Sequence, residues 1–162
     1  MFTARLHIQQ IKYPLDDQPM WLNDHRNTQY SEQRHNGTHT KKSCADYVRA
    51  CSRFWGIQEI DKGEWIGTMA AHIDEENEIA ELGILIHLDY AGNGYGTEAW
   101  EAVMDHLLSD LRKIETGLMA ANVPMKRICE KTKMIFEGER KNHFLLNGGP
   151  IGLLQYAKWR KP

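Results

Sequence analysis

Stretches 3–11 (TARLHIQQI), 52–60 (SRFWGIQEI), 64–73 (EWIGTMAAHI) and 78–88 (EIAELGILIHL) mix apolar and polar positions in the short-period manner of strands. The last three are separated only by the polar breaks Asp61-Lys62-Gly63 and Asp74-Glu75-Glu76-Asn77, which predicts an antiparallel meander. Elsewhere the spacing is helical. In 41–51, Cys44, Tyr47, Val48 and Cys51 fall at i, i+3, i+4 and i+7 behind Thr40 as N-cap, and a weaker helix is expected near 17–25. Trp100, Val103, Met104, Leu107, Leu108 and Leu111 mark a longer helix opening at Thr97. Then 113–120 reads as a strand, Asn122 as the cap of a helix carrying Met125, Ile128, Cys129 and Thr132, and 143–147 and 151–159 as closing strands. The predicted order is β-α-α-β-β-β-α-β-α-β-β, an α+β sheet with helices on its faces.

With 162 residues, 41% of them hydrophobic and 26% charged, the chain has the size and composition of a single globular domain, residues 1–162. A formal charge of −2 with scattered basic residues leaves no footprint for nucleic acid. No apolar run is long enough to span a bilayer and the N-terminus has no leader pattern, so no membrane partner and a cytoplasmic location are expected. Cys44, Cys51 and Cys129 are too widely spaced for a disulfide framework and read as reduced thiols. His35, His39 and Cys44 lack a fourth ligand at a recognised spacing, so no metal site is expected.

Two features carry chemistry. In 79–88 the even positions Ala80, Leu82, Ile84, Ile86 and Leu88 are apolar, while Glu81, Gly83 and His87 occupy the other face. A carboxylate in mid-strand beside a glycine is a candidate site residue, although a solvated glutamate on an outer face reads the same way. Directly after comes Gly92-Asn93-Gly94-Tyr95-Gly96 and a helix start. Such a turn bares successive N–H groups at the positive end of a helix, where an anion, and phosphate above all, would settle. No Gly-Lys-Ser/Thr follows, so it is not a P-loop. The third glycine also comes one residue too early for a dinucleotide fingerprint, even though Glu115 lies about where that motif's acid belongs.

The turn Ala91-Gly92-Asn93-Gly94-Tyr95-Gly96 resembles the Gln/Arg-x-x-Gly-x-Gly/Ala signature of the GNAT superfamily of N-acetyltransferases, with Ala91 in place of the usual Gln or Arg. WLNDHRNTQYSE at 21–32 and GLMAANVPMKRICEKTKM at 117–134 are similar to segments of the branch that includes ribosomal-protein N-terminal acetyltransferases. The likeness extends over about residues 3–160. It implies a mixed, mostly antiparallel sheet of about seven strands flanked by about four helices, with acetyl-CoA as cofactor. Gly92, Asn93, Gly94, Tyr95, Gly96 and Thr97 would then hold the coenzyme A diphosphate, Ile86, His87 and Leu88 would pair with the pantetheine arm, and Asn122 would contact the same arm.

Acetyl transfer to an amine also needs a base and an acid. The resemblance places Glu81 where several members carry a catalytic glutamate; His87 is the competing base, imidazole being a common general base. The position that holds a tyrosine acid in many members is Cys129, whose helical spacing suits packing. Tyr156 is the substitute acid. Trp21, Tyr30, Glu32 and Arg34 are the acceptor-binding candidates. The expected partner is a small polar amine, an amino sugar or sugar nucleotide, and the protein is expected to be a monomer or homodimer. Protein N-termini, or an acyl-CoA sensor without catalysis, are the alternatives.

Overall fold

The computed structural model describes residues 1–32 and 37–160. In chain order they form β1 Leu6–Gln10, α1 Gln18–Asn23, α2 His25–Thr28, α3 Lys41–Ala50, β2 Arg53–Glu59, β3 Trp65–Asp74 and β4 Ile79–Ile86. There follow a 3-10 turn at Leu88–Tyr90, α4 Tyr95–Leu108, β5 Lys113–Met119, α5 Val123–Lys131, β6 Ile135–Leu146 and β7 Gly149–Trp159. The strands make one sheet in the order β1-β2-β3-β4-β5-β7-β6. Every neighbouring pair is antiparallel except β4 and β5.

The apolar stripes decide the layers. Trp100, Val103, Met104 and Leu107 of α4 are fully buried against Leu6, Ile8, Trp55, Ile57, Ile66, Ala80, Leu82 and Ile114, with Met125 and Cys129 of α5 beside them. On the other face of the sheet a smaller cluster packs Val48 of α3 on Phe54 and Ala70. The capping prediction for α3 is met in full: Thr40 accepts from the Ser43 N–H and the Ser43 hydroxyl accepts from the Thr40 N–H. Among the described residues no helix is long and apolar enough to cross a membrane.

Three boundaries differ from the sequence expectation, each for a local reason. The helix expected near 17–25 is two helices, making five among the described residues in place of about four. Asp24 takes an extended conformation (ψ 106°) between them and its carboxylate caps α2 through the Arg26 N–H. Helix α4 begins at Tyr95, two positions before Thr97, because Gly94 adopts a left-handed φ of 83° and takes the cap position without a side chain. Strand β6 begins at Ile135 instead of 143. It is an edge strand with bulges near Gly138 and between Arg140 and Phe144, most of its side chains are exposed, and backbone pairing to β7 holds it where hydrophobic periodicity is silent. Asn147 and Gly148, both at positive φ, close the β6–β7 hairpin.

Candidate active site

Strand β4 is paired to β3 along its whole length, and β5 to β7 along its whole length. Between them the parallel pairing holds for only three registers, Ile79–Lys113, Ala80–Ile114 and Glu81–Glu115. Past that point β4 runs on to Ile86 and β5 to Met119 without further pairing, since each follows the twist of its own partner. The sheet is therefore split into a wedge whose apex lies at Glu81 and Glu115.

Peptide groups of an antiparallel strand face alternate edges. The His87 N–H donates to the Ile66 carbonyl (2.8 Å) in the same register that pairs Leu85 with Thr68, so Ile84 and Ile86 turn their peptide groups into the wedge. The Leu88 N–H is taken by the Asn27 side-chain oxygen at 2.8 Å. Of the segment 86–88, then, Ile86 alone offers backbone groups to something lying in the gap, and Ile84 joins it.

At the apex, Glu81 is exposed on the α3 side of the sheet. His72 stands opposite it on β3, and an open hollow of about 310 Å3 is lined by His72, Ile73, Asp74, Ile79, Glu81 and Glu115. Lys113 bridges Glu115 (3.1 Å) and Glu137 (3.0 Å), whereas no ion pair engages Glu81 among the described residues. A Cβ built on Gly83 meets nothing within 4 Å, so the face beside Glu81 is open. Tyr47 flanks this region with its ring 6.4 Å from His72; burial, with the Cys51 thiol and the Glu81 carboxylate nearby, holds its phenol protonated far into alkali. The Cys51 sulfur lies 4.0 Å from Nε2 of His72.

Tyr156 lies on the opposite face, in register with Thr116 one step beyond the apex. It is 6% exposed, belongs to the core cluster with Cys129 and rests against Phe136 at 5.4 Å. Burial, helped by Cys129 and Glu130, raises its pKa, so the phenol keeps its proton. Cys129 is fully buried and burial pushes its thiol up to about 12. His87 stands six positions from Glu81, about 20 Å along the strand. Its Nδ1 accepts from the Asp89 N–H at 3.3 Å, capping the 3-10 turn, and its ring packs on Trp21 at 5.4 Å. Two bases so far apart cannot serve one amine.

At the open end of the wedge the turn 91–94 leads into α4. Gly92 and Gly94 have φ of 81° and 83°, conformations that other residues adopt only with strain. A Cβ on Gly96 would lie 3.1 Å from Ile128 of α5 and 3.5 Å from Ile86, so the absent side chain lets α4 close on the strand beside the gap. The first-turn N–H groups of α4, beginning at the Gly94 cap, are available to an anion. Asn122 caps α5, accepting from the Met125 N–H at 3.1 Å, at the end of β5 across the wedge. These residues fit a long, phosphate-bearing thioester: an anion cradle at the mouth, unpaired strand edge inside, and a carboxylate at the apex.

Trp21 is buried beneath His87, Tyr30 is half-buried and Glu32 is exposed, while Arg34 and His35 lie outside the described residues. Trp21 and Asn27 join α1 and α2 to the end of β4. Sequence reasoning missed Asn27, His72 and Tyr47. It also missed Arg5, which donates to the Asn93 carbonyl (3.0 Å) and pairs with Glu98 (2.7 Å). Their partners are far apart in sequence, and no local pattern marks them.

The fold and the wedge define an acyltransferase architecture, and comparisons with known proteins agree. The family model described as acetyltransferase (GNAT) domain matches residues 5–135. No curated protein matches the sequence. Among solved structures, a GNAT-family acetyltransferase from Bacillus anthracis is 20% identical, with 98% of this chain and 97% of that one covered and a TM-score of 0.82. Spermidine N-acetyltransferase from Vibrio cholerae, in complex with CoA and spermine, is 15% identical, with 98% and 97% covered and a TM-score of 0.84. The ribosomal-protein-S5-alanine acetyltransferase from Vibrio fischeri is 15% identical, with 100% and 98% covered and a TM-score of 0.78. The chain belongs to the GNAT acetyltransferases. It is an N-acetyltransferase that transfers acetyl to an amine, and acetyl-CoA is its co-substrate.

Proposed function

We propose that the protein acetylates the primary amine of a small polar acceptor, an amino sugar or sugar nucleotide, with Glu81 receiving the amine proton. The observation that carries this reading is the position of Glu81: an exposed carboxylate without an ion pair, at the apex where the sheet splits, opening onto the α3 face. An amine at neutral pH is an ammonium ion and must lose a proton before it can attack, so a carboxylate there both attracts the cation and takes the proton. His72 and Asp74 in the same hollow supply hydrogen-bonding partners for hydroxyl groups.

When bound, acetyl-CoA supplies an activated thioester. Residues 92–97 would hold its diphosphate through backbone N–H groups, Ile84 and Ile86 would pair with its arm, and Asn122 would face them across the gap. Tyr156, protonated and just past the apex, is positioned on the core face to return a proton to the departing thiolate. His87 serves in this reading as a cap and packing group. Alignment of donor and acceptor by the wedge supplies the larger part of the rate, since effective molarities of about 10⁵ M or more come from orientation alone.

A second reading is supported by the carboxylates of the hollow. Among the described residues, Asp74, Glu81 and Glu115 line it without a lysine or arginine in the lining, which suits a polycationic acceptor or the free N-terminus of a protein. Release of free thiol from acetyl-CoA, measured across amino sugars, polyamines and N-terminal peptides, separates these. Turnover on peptides or polyamines alone would overturn the amino-sugar assignment.

A further inference from the structure

The glycine turn has little to hold it. Ala91, Gly92, Asn93 and Gly94 are all exposed, and the Asn93 side chain bonds only within the turn, to the Tyr90 and Ala91 carbonyls at 3.3 Å. Its anchor comes from the other end of the chain. Arg5, one residue before β1, donates through Nη1 to the Asn93 carbonyl (3.0 Å) and through Nε to Oε2 of Glu98 (2.8 Å), and its guanidinium lies 4.4 Å over the Tyr95 ring. The Arg5 backbone N–H (2.9 Å) and the Thr3 hydroxyl both donate to Oε1 of the same carboxylate. A planar fork meeting a carboxylate on one side and a carbonyl on the other fixes orientation as well as distance.

Charge adds a second argument. Glu98 sits in the first turn of α4, where a carboxylate suits the helix dipole but opposes any anion bound at the same N–H groups. Burial by itself would raise the Glu98 carboxyl, yet the Thr3 and Arg5 hydrogen bonds and the Arg5 charge bring it below its ordinary value, so it is ionised at neutral pH. Arg5 cancels that charge. Ala91 brings no side-chain donor to the turn, whereas Arg5 brings five N–H groups to its edge.

We propose that Thr3, Arg5 and Glu98 form a positioning clamp that sets the glycine turn for a diphosphate and neutralises the one carboxylate of α4's first turn; this rests on the cofactor reading above. Arg5 acts through the turn and through Glu98, so it is a positioning residue.

The test is calorimetric titration of coenzyme A into the wild type, Arg5→Ala, Arg5→Lys, Glu98→Gln and the Arg5→Ala/Glu98→Gln double variant. Arg5→Ala is expected to weaken binding by about tenfold or more, since it both frees the turn and exposes the carboxylate. The double variant is expected to recover at least about threefold over Arg5→Ala, because the exposed charge is gone although the strut is still missing. A double variant no tighter than Arg5→Ala would overturn the clamp as described, and so would Arg5→Ala binding within about twofold of wild type. Arg5→Lys keeps the charge but loses the planar fork, and serves if Arg5→Ala does not fold: it should weaken binding by about threefold or more, and affinity within about twofold of wild type overturns the proposal. Absence of binding by the wild type itself would instead remove the cofactor reading, and the clamp with it.

Discussion

Glu81 and Tyr156 stand on opposite faces of one split sheet, and their surroundings set what each can do. Glu81 is exposed beside an imidazole and an open glycine, whereas Tyr156 is buried and keeps its proton. Glu81→Gln is expected to lower kcat by about 10²-fold while leaving coenzyme A affinity unchanged, measured by thiol release and calorimetry on the same preparation; undiminished turnover would take Glu81 out of the mechanism. The thiols divide the same way. Burial raises the pKa of all three, but Cys44 and Cys129 are 1% and 0% exposed, while Cys51 is half-buried beside His72. In the native protein near pH 8, an aromatic disulfide reagent should modify Cys51 first, identified by peptide mass, and reach the other two only on unfolding. Fast labelling of Cys129 would show that the core beneath α5 opens.

Helices and strands with a buried stripe were readable from spacing alone: α3 with its Thr40 cap, α4, the β2–β4 meander and the Asn122 cap all stand within a few residues of expectation. Segments held by other means were not. The break between α1 and α2 depends on one capping carboxylate, and β6 depends on backbone pairing at an edge. The glycine turn and Glu81 stood out as local chemistry. The wedge did not, because the register that ends at Glu81 and Glu115 joins strands 34 residues apart, and neither strand alone shows where its neighbour leaves it. Within the turn the glycines differ in kind, which gives a sharp comparison. Gly94→Ala forces a side chain into a left-handed φ of 83° and should cost about 1–2 kcal/mol in urea unfolding. Gly96→Ala crowds the flexible tip of Ile128 at 3.1 Å, makes an ordinary contact with Ile86 at 3.5 Å, and should cost less than Gly94→Ala. Equal costs would mean that crowding against α5, and not backbone strain, constrains the turn.

A sheet divided into two paired blocks has a weakness between them, since β4 and β5 share three registers where their other neighbours share seven or eight. Much of what joins the blocks is α4 lying across the core face, so ionisation within that core should loosen the protein as a unit. The Cys129 thiol, raised by burial to about 12, makes the sign definite. An unfolded thiol titrates near about 8.5, so the folded state holds the extra proton above that pH; the stabilisation is complete below about 8.5 and drains away as pH rises toward 12. Cys44 and Tyr156, also raised by burial, act in the same direction. Urea midpoints should therefore fall steadily between about pH 9 and 11, with a shallower fall in Cys129→Ala. A ligand bridging the two blocks works against that loss. Coenzyme A at about 100 times its Kd should add roughly 2.7 kcal/mol, or about 5–10 °C in Tm for a chain of this size, because only the folded wedge can bind it. If the stabilisation comes from spanning the gap, hydrogen exchange should slow at the Ile84 and Ile86 amides as well as at the glycine turn. Protection confined to residues 92–97 would place the diphosphate in its cradle but leave the arm outside the wedge.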